Sequence, residues 1–262
     1  MIRSLYTGGA GMKAQQKSVD VTANNLANVN TNGFKKDLVN FEDLYYHYMK
    51  SPGSPSTEAT DHPSGISVGI GVGTGSTAKV YTQGNMESTE NPMDMAIKGG
   101  GFFQVLKPDG TTAYTRDGSF KVDGDGHIVT SEGNYLEPQI QIPEEATELT
   151  IRSDGTVSAD IPGTEAPENL GQIELARFVN PAGLKAEGSN LFSETPASGD
   201  PFVGTPGRDG LGQIEQGSLE KSNVDVIEAL TDLIAQQRGY EFNHRTIRTS
   251  DRMLQRATTL LQ

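Results

Sequence analysis

Every seventh residue from Val226 to the penultimate position is apolar: Val226, Leu233, Tyr240, Ile247, Leu254 and Leu261. A repeat of this kind keeps one stripe of an α-helix turned toward a single neighbour, and it predicts a long helix that runs to the end of the chain. The start of the chain shows the same pattern more briefly, in Leu5, Met12, Val19 and Leu26. The positions four residues further on are weaker, with Gly9, Gln16 and Ala23 beside the first stripe and Leu230, Gln237, His244, Asp251 and Thr258 beside the second. Stripes this narrow bury little surface, so neighbouring copies are expected to complete them. Asn223 or Ser222 is the expected N-cap of the second helix, and Asn32-Gly33 the expected end of the first.

Between the helices the period changes to two. Short β-prone runs occur at 101–106, 113–115, 120–122, 127–130 and 172–179, with Asp-Gly pairs beginning at residues 109, 117, 123, 125 and 154 as hairpin-turn signals. Residues 50–67 and 194–212 are rich in Pro, Ser and Gly and are expected to be loops or extended connectors. The expected fold class is therefore α+β, with long coiled-coil-type helices at the N- and C-termini flanking a β-rich middle domain. The expected division pairs the terminal helices in 1–35 plus 222–262. It assigns 36–80 plus 205–221 to an extended connector with a Pro/Ser-rich insertion near 46–66, and 81–204 to a β-rich outer domain.

Composition narrows the function. The net charge of −13 argues against nucleic acid as a partner, because binding a phosphate backbone draws on Lys and Arg. The charge is uneven: residues 1–36 and 226–262 together carry +5, and the middle carries −18. The chain has no cysteine, which excludes disulfides, thiolate metal sites and cysteine nucleophiles. No stretch approaches the ~18 apolar residues of a membrane span, and the N-terminus lacks the apolar core of a secretory signal, so neither direct membrane insertion nor a cleaved signal is expected.

Chemical motifs are weak throughout. The glycines of 69–75 alternate as in a phosphate cradle, but the Lys-Ser/Thr that would reach phosphate and metal is missing. Asp123-Gly124-Asp125-Gly126 lacks the later ligands of a calcium loop and reads as a hairpin turn. His47, His62, His127 and His244 are scattered, with no zinc spacing. No Gly-x-Ser-x-Gly elbow occurs. Neither a catalytic residue, a metal ligand nor a cofactor is expected.

The run Ala23-Asn24-Asn25-Leu26-Ala27-Asn28-Val29-Asn30-Thr31-Asn32-Gly33-Phe34-Lys35 resembles the N-terminal signature of flagellar rod and hook proteins. The resemblance extends to Met1-Ile2-Arg3-Ser4-Leu5, to residues 96–103 and 114–120, and to Ser222-Asn223-Val224 and Gln236-Gln237-Arg238. Within that family the chain length, the opening residues and the insertion look most like the members that build the distal rod; the alternative is a proximal rod or hook subunit, which shares the Asn-rich signature, but hook proteins are usually longer and the insertion near 46–66 separates them. The resemblance implies a helical homopolymer with the terminal helices lining an axial channel, a β-rich outer layer, and an insertion that helps make the rod straight and stiff. Its implied partners are other copies of itself, proximal rod proteins and the hook protein at its ends, the surrounding ring proteins and the flagellar type III export apparatus. Its implied location is the rod within the periplasm. Tyr6 stands where relatives commonly have Trp, the run Gly8-Gly9-Ala10-Gly11 is richer in glycine than usual, and Gly239 replaces a common Ala. Two rivals of other classes are a wall-cleaving enzyme, tested by lytic activity, and a β-rich module with membrane-surface helices, tested by liposome flotation.

Asn24, Asn25, Asn28 and Asn30 are poor helix formers, and two uses fit them: ending the helix, or hydrogen-bonding across subunit interfaces where the chain turns at Gly33 and Phe34 packs onto the next layer. The arginines at 238, 245, 248, 252 and 256 fit a solvated face, a channel wall or pairing with acids of adjacent subunits. If neighbours complete the helical stripes, amides of residues 1–30 and 226–262 exchange rapidly in a monomer. Strong protection there, measured by NMR hydrogen exchange, contradicts the reading.

Overall fold

The two sevenfold repeats form helices: α1 spans Ile2–Ala27 and α2 spans Val226–Thr259. Among the described residues the regular elements between them are β-strands, apart from one 3-10 turn at Pro181–Gly183, so two terminal helices flank a β-rich middle and the fold is α+β. The computed structural model describes residues 2–53, 55–57, 60–61, 64–162 and 166–259. Leu261, which closes the second repeat, and His62 lie outside the described residues. No helix among those described is long and apolar enough to cross a membrane.

The chain divides into two units, one made of Met1–Ala27, Asp37–Ala78 and Asp225–Gln262, the other of Asn28–Lys36 and Lys79–Val224. In the first unit the helices run antiparallel. Ser4 lies against Ser250 with their hydroxyls 3.0 Å apart, and Gln236 donates to Thr22 Oγ1 at 3.0 Å. Gly8 faces Ile247, Gly11 faces Asn243, and Gly239 faces Gln15. The seam is thus built mostly from small and polar residues, with Ile247 seated on Gly8. A Cβ on Gly8 would lie 3.0 Å from Ile247 Cγ1, and one on Gly11 would lie 2.8 Å from Asn243 Nδ2, so these glycines permit the close approach of the helices.

This seam corrects the expected companion positions of α2. Leu230, Gln237, His244 and Asp251 are exposed, and the inward positions are Ala229, Gln236, Asn243 and Ser250, one residue earlier in each turn. The helix ends differ as well. Asp225 caps α2, its Oδ1 accepting from the amides of Ile227 (2.8 Å) and Glu228 (3.1 Å), which also suits the positive helix N-terminus. Asn223 is not available for that role because its side chain serves the second unit. α1 stops at Ala27, ahead of Asn32-Gly33, because Asn28 opens a turn in which Thr31 N donates to Asn28 O at 3.2 Å.

Much of segment 37–79 is a narrow β-ladder. The strand Asp37–Asp43 pairs with Val72–Lys79, and Tyr46–Lys50 pairs with Ile66–Gly69 in antiparallel register, Tyr46 opposite Gly69 and Tyr48 opposite Ser67. The short strands Pro55–Thr57 and Thr60–Asp61 pair at its tip. The Pro/Ser-rich stretch therefore carries strand pairing where loops or connectors were expected, because β-prone Tyr and Val residues flank it and bring its ends together. The glycines of 69–75 fall within this ladder.

The second unit centres on a nine-stranded antiparallel sheet. Its strand Phe102–Leu106 pairs with Thr112–Thr115, Tyr135–Glu137 and Leu175–Arg177. Alternation along it sends Phe103 and Val105 into a core with Met95, Ile97, Phe120, Leu136, Val157, Ile173 and Leu175. Phe102 joins a second cluster with Tyr114, Phe178 and Phe192. The expected β runs at 101–106, 113–115, 120–122 and 127–130 coincide with strands to within a residue or two. The run 172–179 divides, Gln172 ending one strand and Leu175–Arg177 forming the next.

Gly11→Leu is expected to destabilise by about 1–3 kcal/mol through overpacking at Asn243. Gly9→Ala, which meets open space, is expected to stabilise by about 0.5–1 kcal/mol. Urea unfolding followed by far-ultraviolet circular dichroism separates the two.

Candidate functional site

In the segment after α1, polar side chains do the work of backbone pairing. Asn25, buried near the end of α1, donates from Nδ2 to Asp37 O at 2.8 Å and accepts from Asp37 N at 2.8 Å, so its amide extends the edge of the following strand. Asn28 Oδ1 accepts from Thr31 Oγ1 at 3.2 Å. Both asparagines thus terminate and redirect the helix within their own chain. These two bonds engage one donor and one acceptor of the Asn25 amide. Asn24 and Asn30 are exposed.

Gly33 adopts φ 67° and donates its amide to Glu220 O at 2.7 Å. A Cβ at this position would lie 2.6 Å from the carbonyl carbon of Arg116, so both the left-handed backbone and the close packing require glycine. Phe34 is half-buried, with the Lys79 ammonium 5.2 Å from its ring centre. Lys35 turns fully inward. Its Nζ donates to Glu220 Oε1 at 2.6 Å and to Thr82 O at 2.8 Å.

Glu220 collects the rest. Its Oε2 accepts from Arg116 Nη1 at 3.1 Å, and its Oε1 also accepts from Gly84 N at 2.9 Å. Arg116 Nη2 donates to Gly99 O at 2.7 Å. The side chains of Lys35, Glu220 and Arg116 are 0%, 1% and 5% exposed. Burial pulls both Lys35 and Arg116 below their ordinary pKa values, and the Glu220 carboxylate offsets part of that shift in each. Just beyond, Asn223 accepts from Lys36 N at 2.8 Å and donates to Val80 O at 2.8 Å. One carboxylate and one amide therefore tie residues 33–36, 80–84, 116 and 220–223 into a single clamp.

The striped residues fare unequally. Leu5, Met12, Val19, Leu26, Leu233, Ile247 and Leu254 are half-buried, whereas Val226 and Tyr240 are each 41% exposed. Beside Leu5, an open groove of about 760 Å³ runs between α1 and the ladder, lined by Tyr6, Ala14, Leu44 and Val72. The ladder leaves Tyr45 87%, Tyr48 58% and Met49 65% exposed, and α2 leaves Ile227 and Ile234 in the open. The clamp leaves no periodic trace in the sequence. Its available signal was a lysine directly after Gly33-Phe34 and a glutamate following Ser218-Leu219, charges embedded in otherwise inward-facing runs. Among the described residues no cluster of three His, Asp or Glu could hold a metal ion. Asp123 Oδ1 accepts from the amides of Asp125 (3.0 Å) and His127 (2.9 Å) as a hairpin-turn acceptor.

Charged groups are spent on holding the chain together, while large apolar side chains stay uncovered, a combination typical of surfaces that contact other protein. The family described as "Flagella basal body rod protein" matches residues 5–35, "Flagellar hook protein FlgE/F/G D1 domain" matches 96–159, and "Flagellar basal body rod FlgEFG protein C-terminal" matches 215–260. The chain is 50% identical to the "Flagellar basal-body rod protein FlgG" of Borreliella burgdorferi, covering 99% of each chain. It is 44% identical to the protein of the same name from Caulobacter vibrioides and 38% identical to that from Bacillus subtilis, again over 99% of each chain. The chain belongs to the family of flagellar basal-body rod proteins, which are structural subunits of the motility apparatus and not enzymes.

Removing the shared carboxylate leaves two cations buried together. Glu220→Gln is therefore expected to cost about 3–5 kcal/mol. Lys35→Met, which keeps an apolar stem and leaves Arg116 paired, is expected to cost distinctly less. Chemical denaturation of the two variants side by side checks the order.

Proposed function

We propose that this chain is the repeating subunit of the distal rod, a straight helical polymer that transmits torque and encloses the export channel. The carrying observation is the uncovered apolar surface of the first unit. A two-stranded ladder is marginal by itself, and Tyr45, Tyr48 and Met49 stand exposed along it, which suits burial against adjacent copies. Open helical growth needs heterologous contacts, in which different patches of one surface meet, so exposed apolar side chains on both the ladder and α2 are apt.

In this reading the terminal segments 1–35 and 222–262 form the axial layer and pack in coiled-coil fashion. Residues 36–80 with 205–221 connect, and 81–204 form the outer β-layer. Leu5, Met12, Val19, Leu26, Val226, Leu233, Tyr240, Ile247, Leu254 and Leu261 supply the contacts between helices, within and between copies. Asn24, Asn25, Asn28, Gly33 and Phe34 shape the turn that leads out of the axial layer. Proximal rod proteins and the hook protein meet the polymer at its ends, ring proteins surround it in the periplasm, and the subunit arrives through the flagellar export apparatus. The insertion at 46–66 and the opening Met1-Ile2-Arg3-Ser4-Leu5 support the distal position.

Concentrated protein, with purified hook-basal bodies as seeds, is expected to form straight tubes in electron micrographs. Tyr45→Ser/Tyr48→Ser/Met49→Ser is expected to leave the melting temperature of the monomer within a few degrees of the parent chain and to abolish the tubes. Failure of the parent chain to extend the seeds overturns the polymer reading.

A further inference from the structure

Asn32-Gly33 is the one Asn-Gly pair in the chain, and it lies in the turn that the clamp holds. Asparagine is a labile residue, and most so before glycine, where no side chain shields the next amide nitrogen. Once base has taken its proton, that nitrogen attacks the asparagine Cγ. The N–Cγ bond forms, the Cγ–Nδ2 bond breaks, and ammonia leaves with a proton from water. Water then opens the five-membered imide at either carbonyl. Opening at one gives aspartate. Opening at the other gives isoaspartate, in which the main chain runs through the former side chain and is longer by one methylene.

The folded chain engages both reacting groups. Asn32 Oδ1 accepts from Lys221 Nζ at 3.2 Å. A cation on that oxygen draws electrons from Cγ and makes it a better target for attack, so protection falls to the nucleophile. Gly33 is buried, and its amide donates to Glu220 O at 2.7 Å, which keeps the proton away from solvent base. Phe34 N donates to Thr31 O at 3.4 Å and closes the turn around the pair. The Gly33 backbone also has no room to swing toward the Asn32 side chain on the side of Arg116, whose carbonyl carbon lies 2.6 Å from where a Cβ would stand.

We propose that Asn32-Gly33 is a deamidation site that the Gly33–Glu220 hydrogen bond keeps closed in the folded subunit and that unfolding opens, and that isoaspartate at position 32 prevents the clamp from closing again. The added methylene displaces Gly33 where the Arg116 backbone leaves no slack, and it breaks the alignment with Glu220 O. Ordinary aspartate keeps the main chain intact and sets a carboxylate beside the Lys221 ammonium, which the fold accepts. The chemistry is that of a single chain and holds whether or not copies polymerise.

The test holds the full-length chain at mildly alkaline pH, folded in one portion and unfolded by guanidinium chloride in another, and digests both with trypsin. Cleavage after Lys17 and Lys35 gives one peptide that carries Asn24, Asn25, Asn28 and Asn30 as internal references for Asn32. Mass spectrometry with fragmentation, which places the amide-to-acid mass gain, is expected to find Asn32 converting ahead of the four references in the unfolded chain. In the folded chain its rate is expected to fall at least ~10-fold, and by no less than the hydrogen-exchange protection of the Gly33 amide, because both reactions need the same proton released.

Equal rates at Asn32 in the two portions overturn the proposal, as does an Asn32 no faster than its references when unfolded. Suppression smaller than the exchange protection of Gly33 means that the amide reacts without leaving Glu220 O, and sinks the role given to that bond. After ageing in denaturant and refolding, the isoaspartate-bearing chain is expected to unfold at a lower guanidinium midpoint than the parent, with Asn32→Asp matching the parent. An aged chain as stable as Asn32→Asp overturns the claim that isoaspartate blocks the clamp.

Discussion

One buried carboxylate organises the β-rich unit. Glu220 is reached by Lys35 from the segment after α1, by Arg116 from the sheet, and by the amide of Gly84, while its own backbone carbonyl accepts from Gly33. Two cations and one acid out of contact with water are helped by the backbone carbonyls of Thr82, Ile97 and Gly99, which accept further donors, while Arg116 Nε is left without a hydrogen-bond partner. The residues that follow α1 and those that follow the last strand are held side by side, and Asn223 repeats the device with Lys36 and Val80.

The helical unit follows a different rule. Its seam is lined by Ser4, Gly8, Gly11, Gln15 and Thr22 against Gln236, Gly239, Asn243, Ile247 and Ser250, so helix contact comes from close approach more than from large apolar side chains. The glycines lower intrinsic helix propensity, and the close packing they allow offsets that cost. Apolar area that a monomer would ordinarily bury stays outside, on Ile227, Ile234, Tyr45 and Tyr48. For a subunit that is finished only by its neighbours this is consistent, because surface buried inside the monomer cannot contribute to the polymer.

Most of the secondary structure was legible in the sequence. Sevenfold apolar spacing located both helices, alternation and Asp-Gly turns located the central strands, and missing ligands excluded the glycine-rich and acidic motifs as chemical sites. The seam was misread because periodicity arguments count apolar residues, whereas this contact runs through Gly, Ser, Asn and Gln. The cap of α2 was misplaced for a related reason. Ser222, Asn223 and Asp225 are all competent caps, and only tertiary demand for Asn223 elsewhere selects Asp225. The ladder at 46–69 was hidden by its prolines and serines, which look like loop composition until the strands on either side are seen to pair.

By itself the sequence determined the two terminal helices, the β-rich middle between them and the flagellar rod family, because these depend on local spacing and on a signature of specific residues. Which side chains face one another across the helices, and which charges end up buried, was decided only in the tertiary structure. Contacts such as Lys35 with Glu220 join residues far apart along the chain, and their energy depends on the removal of water, which no local pattern records.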